Sequence, residues 1–439
     1  MKKIFIIAPH FPPSALPPSQ RVRLMVKHLK SLGWYPHIFT TFPKYREEKE
    51  DTWMTKLVGN DFDLTAVRAL NQKKTRKFGI GDLGLRMIPY LLPAIKKAAI
   101  KEKPDFILYP VPPWYILLIA PLIKRKTSIP YGIDFIDPWF VGEIPINAGF
   151  KKRISQKIAR KFEKKAVLKA DVIYSVSEGI NNNLIERYNL PENKVLLAVP
   201  YGVEPSDFNL DTVQQASEKV IFRYIGAVWN NSYPVLEPLL KSLSDIEKET
   251  PIKIEFYGTS YAGEKFAKPQ TNYWVDKFNM QNFMVEKPLR VSYKKAVKLT
   301  MSANIILLFG GMQPYYAASK LMGLIASGKP FIAFLHEDSF PAKFLIQLNY
   351  KYIITYSQKE LPEKKIRELT SKIKLLISEK DKFVKFDLSN PLIQQHTALG
   401  MTKEFIKPIE KLLKKNGKSQ KKNTKSKNIS NRRCRFCWA

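Results

Sequence analysis

Two pieces of sequence decide the fold: Ile305-Ile306-Leu307-Leu308-Phe309-Gly310-Gly311-Met312-Gln313-Pro314, and, after four intervening residues, Ser319-Lys320-Leu321-Met322-Gly323-Leu324-Ile325-Ala326-Ser327-Gly328-Lys329-Pro330. Ile305 to Leu308 is a continuous apolar run of strand length, as a parallel strand buried on both faces requires. Gly310 and Gly311 break the run, and apolar residues at helical spacing then lead to Gly328, a left-handed cap before Pro330. Ser319 is placed to cap this helix, so unpaired amides, the positive end of the dipole and the Lys320 ammonium converge where a diphosphate can rest. An ordinary capped helix has the same local features, and the segment alone leaves both readings open.

The same strand-loop-helix grammar extends in both directions. Ile4 to Ala8 leads into the Pro-rich loop Pro9 to Pro18, and Val22, Met25, Val26, Leu29 and Leu32 then recur at helical spacing up to Gly33. Further strands are predicted at residues 35–40, 106–109, 131–135, 172–175 and 195–199, and, after a restart, at 220–225, 252–257 and 331–333. Strands alternating with helices predict an α/β protein with doubly wound parallel sheets. The boundary is placed between 203 and 217, giving domains 1–203 and 217–392, a terminal helix 393–415 and a disordered basic tail 416–439.

Length and composition agree. The chain has 439 residues, 45% hydrophobic and 26% charged, enough for two domains that bury their own cores. The stretch Phe106 to Ile123 is apolar, but Pro110, Pro112, Pro113 and Pro121 make it a strand, a turn and a helix rather than a membrane span. Cys434 and Cys437 are the only cysteines, which excludes a disulfide framework and fits a reducing compartment. Their spacing resembles half of a zinc site with no second half nearby. The net charge of +34 includes eleven Lys or Arg and no acid in residues 411–439, yet the body is basic too. Residues 151–169 hold nine Lys or Arg with Ile154, Ile158 and Phe162 at four-residue spacing. Such a helix either lies on an anionic membrane or packs on its sheet through the apolar stripe. Nucleic acid is expected only as a nonspecific partner of the basic tail.

In doubly wound sheets ligands gather beyond the carboxyl ends of the strands. Four loops there carry candidates: His10 to Arg21, Asp134 to Trp139, Gly226 to Asn230, and Gly310 to Lys320. Asp134 and Asp137 suit acceptor hydroxyls or proton transfer, although Asp137 before Pro138 also suits a turn. His10 is the one histidine placed in a cleft loop, within reach of sugar or phosphate. Arg21 suits a phosphate or a cleft carboxylate such as Asp137, or an ordinary surface ion pair. Gly226 lets backbone approach a donor or simply forms a tight turn. Asp61-Phe62-Asp63 lies among loop-like residues without a third ligand and is assigned no role.

Ala318-Ser319-Lys320-Leu321 with Ala326-Ser327-Gly328-Lys329-Pro330 resembles the donor-site helix of family 4 glycosyltransferases. Pro9-His10-Phe11-Pro12-Pro13, Gln20-Arg21-Val22-Arg23 and Leu32-Gly33-Trp34 are similar to that family's first strand, loop and helix. Asp134-Phe135-Ile136-Asp137-Pro138-Trp139, Ser175-Val176-Ser177-Glu178 and Pro200-Tyr201-Gly202-Val203 follow in the family's order. The resemblance implies a GT-B fold, two facing Rossmann-like domains with a cleft between them. It implies transfer of a hexose from a nucleoside diphosphate sugar, usually with retention and without a metal or other cofactor. It implies donor binding around Gly226, Asn230, Gly310, Gly311, Ser319, Lys320 and Gly323. Two Glu residues eight positions apart are common in the family, and here Tyr315 and Gly323 stand in their places. A glycan or lipid-linked acceptor at the cytoplasmic face of a membrane, in polysaccharide or lipopolysaccharide synthesis, completes the expectation. The alternative is a sugar-nucleotide or glycan binding protein without turnover.

Overall fold

In the computed structural model the described residues are 1–140, 149–211, 217–260, 266–314 and 319–433. Apolar runs form two all-parallel sheets, each shielded by helices. The first holds β1 (Lys2–Ile7), β2 (Trp34–Thr41), β3 (Asp63–Val67), β4 (Phe106–Val111), β5 (Tyr131–Phe135), β6 (Val172–Ser175) and β7 (Val195–Ala198). Its order is β3-β2-β1-β4-β5-β6-β7. The second holds β8 (Val220–Ile225), β9 (Ile252–Tyr257), β10 (Met284–Lys287), β11 (Ile305–Phe309), β12 (Phe331–His336) and β13 (Ile353–Tyr356), in the order β10-β9-β8-β11-β12-β13. In both sheets the strand order reverses at one point, between β1 and β4 and between β8 and β11. The crevice outside the carboxyl ends of the strands at such a switch point is where open α/β sheets hold ligands.

The sequence pattern misses β3, β10 and β13 because β3 and β10 lie at sheet edges with half-exposed faces, and β13 alternates partly buried with buried residues. The central strands, buried on both sides, are all found, together with β7, an apolar run at the other edge of the first sheet. The segment Asp61 to Asp63 is therefore the entrance to an edge strand. His37 and Glu102 approach Asp63 there, but His37 Nδ1 lies 3.1 Å from Glu102 and Nε2 lies 2.8 Å from Thr65 Oγ1, while Lys3 also donates to Glu102. Those groups already satisfy one another.

The helix expected over 393–415 divides into Pro391–Gln394 and Ala398–Arg433. Its backbone continues through 416–433, where the composition had suggested disorder, and Cys434 and Cys437 lie outside the described residues. After crossing from the second sheet, the chain returns to the first. Val203 bridges Thr397, Ala398 N donates to Val203 O at 2.7 Å, and Met401, Phe405 and Ile409 join the core beneath β1 and β4. Gly202 permits this: a Cβ there would stand 2.9 Å from the Thr397 carbonyl oxygen. The terminal helix thus belongs structurally to the first domain.

No helix among the described residues is long and apolar enough to cross a membrane.

Candidate functional site

The carboxyl ends of the two sheets meet across a cleft bridged by named contacts. Arg290, just beyond β10, donates to Ala15 O in the first Pro-rich loop at 2.7 Å. Tyr293 N donates to Asp51 Oδ2 at 2.5 Å, and Tyr293 OH donates to Asp207 Oδ2 at 3.0 Å. Buried Arg23 grips the same Asp207 with both terminal nitrogens, at 3.2 and 2.6 Å. Helix, linker and second domain are therefore tied through one carboxylate.

At the second switch point, Lys320 lies over the end of β8. Gly226 has φ of +146°, and a Cβ built there would be 1.7 Å from Lys320 Nζ. The glycine makes room for an ammonium, beyond the turn or backbone approach expected of it. Lys320 Nζ stands 4.4 Å from the centroid of the Tyr224 ring, and no carboxylate pairs with it among the described residues. Burial, together with nearby Arg290, pushes Lys320 down to about 7. A cation held so, without a counter-charge, is prepared for an anion.

Beside it lies a cavity of about 490 Å³ lined by Val228, Trp229, Asn230, Asn231, Thr259, Ser260 and Gln270. Asn230 thus lines a cavity next to the loop that holds Gly226. The loops after β8 and β11 are laced together: Met312 N donates to Asn231 O at 3.2 Å, and Asn231 Nδ2 donates to Gln313 Oε1 at 2.8 Å. Gly310 N donates to Phe334 O at 3.1 Å, and Gly311 O accepts from Tyr356 OH at 2.9 Å. A Cβ on Gly311 would come within 3.2 Å of Asn231 O. These glycines close the loops on each other, with the Gly310 amide already spent.

Several expectations are corrected. The helix begins at Leu321 and runs only to Ser327, with Lys320 at its cap position and no side-chain cap; Ser319 is exposed in the turn before it. Any anion affinity here rests on Lys320 more than on the helix dipole. Gly323 faces the linker, where Phe208 Cζ lies 3.2 Å from the place of its missing Cβ, so an aromatic ring fills the space of the expected carboxylate. Tyr315 falls outside the described residues.

Asp134 is fully buried, and Arg21 meets it bidentately, Nε to Oδ2 at 2.7 Å and Nη2 to Oδ1 at 2.9 Å. Arg21 also donates to Val199 O at 2.7 Å and stands over Phe405. The pair therefore clamps β5 to the linker and terminal helix, and neither member is open to substrate. Removing one partner of such a pair costs about 3–5 kcal/mol. Asp137, three residues on, is outside the strand and exposed, its carbonyl accepting from Trp114 Nε1 at 3.0 Å, and the protein packed around it raises its carboxyl above the usual range. It receives no bond from Arg21, contrary to one expectation.

His10 stands on the opposite wall with its Nδ1 2.6 Å from Glu48 Oε1, and Ser14 Oγ donates to the same oxygen at 2.7 Å. Burial alone would raise Glu48, but the bonds from His10 and Ser14 hold it down at about 2. Sequence reading missed Glu48 and Arg290: one sits in a charged loop run, the other follows an edge strand that the pattern hides.

Residues 19–206 match the sequence profile of Glycosyltransferase Family 4. The first domain belongs to that family. Around this family 4 domain the whole chain adopts the GT-B arrangement of solved structures. A glycosyltransferase from Rickettsia africae superposes with a TM-score of 0.62 at 15% identity, covering 94% of this chain and 99% of that one. Anabaena HepE, solved with UDP-glucose, gives 0.60 at 10% identity over 94% and 100% of the two chains. A lipopolysaccharide outer core galactosyltransferase, WaaB, gives 0.54 at 11% identity over 94% and 99%. No protein of curated function matches by sequence.

Proposed function

We propose that this chain transfers a hexose from a nucleoside diphosphate sugar to a glycan or lipid-linked acceptor in cell-surface polysaccharide or lipopolysaccharide synthesis. The observation that carries the reading is Lys320, seated in the gap left by Gly226 at the switch point of the second sheet, beside a cavity of about 490 Å³ and without a carboxylate partner among the described residues. Lys320 and Arg290 would offset the charge that accumulates on the departing diphosphate, a preorganised electrostatic role that requires no metal. The Asn230 cavity would take part of the donor, and Asp137 would take acceptor hydroxyls from the facing domain. The solved relatives with UDP-glucose and with lipopolysaccharide chemistry support the donor and acceptor classes; retention follows the family resemblance.

The acceptor side favours a bilayer surface. Helix Phe150–Lys169 buries Ala159, Ala166 and Val167, yet Ile154 and Ile158 are 41% and 36% exposed. Arg153, Lys157, Lys161, Lys164 and Lys165 accompany them, the pattern of a helix that rests on anionic headgroups at the cytoplasmic face. The Phe208 ring against Gly323 favours the second reading, a donor-binding protein without turnover.

Incubation with a panel of nucleoside diphosphate sugars, with EDTA and lipid-extract acceptors, separates the two. The account expects saturable donor turnover that EDTA leaves unchanged. Saturable binding with no turnover on any donor would establish the second reading instead.

A further inference from the structure

Residues 68–80, which follow β3, hold five Lys or Arg and no acid. Their large apolar side chains are not turned inward: Phe78 is 82% exposed and Leu70 38%, and Phe42, on the neighbouring loop after β2, is 41% exposed. Neither the core nor the donor cavity uses these three side chains. Several large apolar groups left in water beside a cluster of cations mark a surface that a partner covers.

The loops that carry them are fixed by backbone bonds. Buried Arg86 gathers three chain segments on its guanidinium: Nη2 donates to Tyr45 O at 3.1 Å, Nη1 to Leu70 O at 2.9 Å and Nε to Gly81 O at 3.3 Å. Its carbonyl accepts from Leu70 N at 2.9 Å, and Phe42 N donates to Val67 O at 3.2 Å. Phe78 N and Ile80 N both donate to Thr75 O at 3.0 Å, and Gly79, at φ of +78°, turns the chain directly after the Phe78 ring. Phe42, Leu70 and Phe78 thus stand on one tip of the first domain.

The charges and the neighbouring elements say what covers it. Arg76 pairs with Glu47 at 2.7 Å, whereas Lys73, Lys74 and Lys77 make no ion pair among the described residues. Helix Leu83–Glu102, which follows the tip, packs its first turn on the turn Trp114–Leu118 and the proline before it: a Cβ on Gly84 would be 3.1 Å from Pro113 Cβ and 3.2 Å from Ile116 Cγ2. The basic helix Phe150–Lys169 packs against that same turn, so the two basic surfaces adjoin one piece of the chain. A nucleic acid offers phosphates but no hydrocarbon for Leu70. An anionic bilayer offers both, phosphates for the lysines and the acyl boundary for the apolar side chains.

We propose that the tip formed by Phe42, Leu70 and Phe78 with Lys73, Lys74 and Lys77 inserts into the headgroup layer of an anionic bilayer. Phe78 enters furthest, the lysines pair with lipid phosphates, and helix Phe150–Lys169 makes a second contact. Two contacts on one domain reinforce each other, because the second forms within a complex that the first has already brought together. This adds a lipid contact to the membrane reading of the basic helix and does not depend on sugar transfer, which the donor panel above decides separately.

The test is co-sedimentation of the full chain with vesicles of phosphatidylglycerol and phosphatidylcholine in equal parts, and with vesicles of phosphatidylcholine alone. Wild type is expected on the mixed vesicles and not on the neutral ones. Phe78→Ser is expected to weaken partitioning about 10-fold, and Lys73→Gln, Lys74→Gln and Lys77→Gln combined about 10- to 100-fold. The unfolding midpoint and the donor Kd are expected to stay unchanged, since all four side chains are exposed. Partitioning of both variants within twofold of wild type overturns the proposal; loss of binding in Ile154→Ser with Ile158→Ser would then leave the basic helix as the membrane contact. A wild type that binds a nucleic-acid duplex and ignores the mixed vesicles overturns it as well.

Discussion

Lys320 is held at about 7 by burial and by Arg290, so it is charged below that pH and largely neutral above it. A diphosphate favours the charged form and raises the group again when it binds. Binding of a nucleotide sugar at pH 8 should therefore draw in close to one proton, and binding at pH 5.5 close to none. Calorimetry in buffers of different ionisation enthalpy reads this number directly, and equal uptake at the two pH values would contradict it. Lys320 was legible because a helix start with a lysine announces an anion site. Arg21 was less so: Asp134 and Asp137 stand three apart in sequence, and only the strand's depth decides that Asp134 is the buried partner and Asp137 the open one. Gly226 was legible as a special position, whereas its partner Lys320, 94 residues away, became visible only in space.

The basic helix Phe150–Lys169 carries one acid, Glu163, and buries it completely. Burial raises this carboxyl to about 7, although Phe140 N donates to it at 2.7 Å and Arg187 lies 3.2 Å away. A carboxyl raised above its unfolded value contributes stability that is full below about 4.5 and is lost as pH rises through about 7. Glu163→Gln removes that dependence. The variant should gain on wild type by on the order of 1–3 kcal/mol between pH 5 and pH 8. Thermal melts at both values test this, and parallel changes in Tm would refute it. At the scale of elements the sequence reads central strands well, since apolar runs are dictated by burial on both faces. It reads edges unevenly: the apolar edge strand β7 is found, whereas β3 and β10 are half exposed and missed, and with β10 went Arg290. The donor-side helix was read too long at its start, because Ser319 has the chemistry of a cap without the geometry of one.

Across the molecule, the two-domain plan was legible from one pattern that stops near residue 203 and restarts at 220. The return of the terminal helix to the first domain was not, since Met401 and Phe405 look like any apolar stripe until their partners beneath β1 are known. The Arg23, Asp207 and Tyr293 tie fixes how the walls face each other and so brings Arg290 toward Lys320. Everything in the functional account depends on that cleft receiving a diphosphate at Lys320. The decisive measurement is calorimetric titration of nucleotide sugars into wild type and Lys320→Ala. The account predicts saturable wild-type binding weakened 10- to 100-fold in the variant, with the unfolding midpoint unchanged; affinity within twofold of wild type would contradict it.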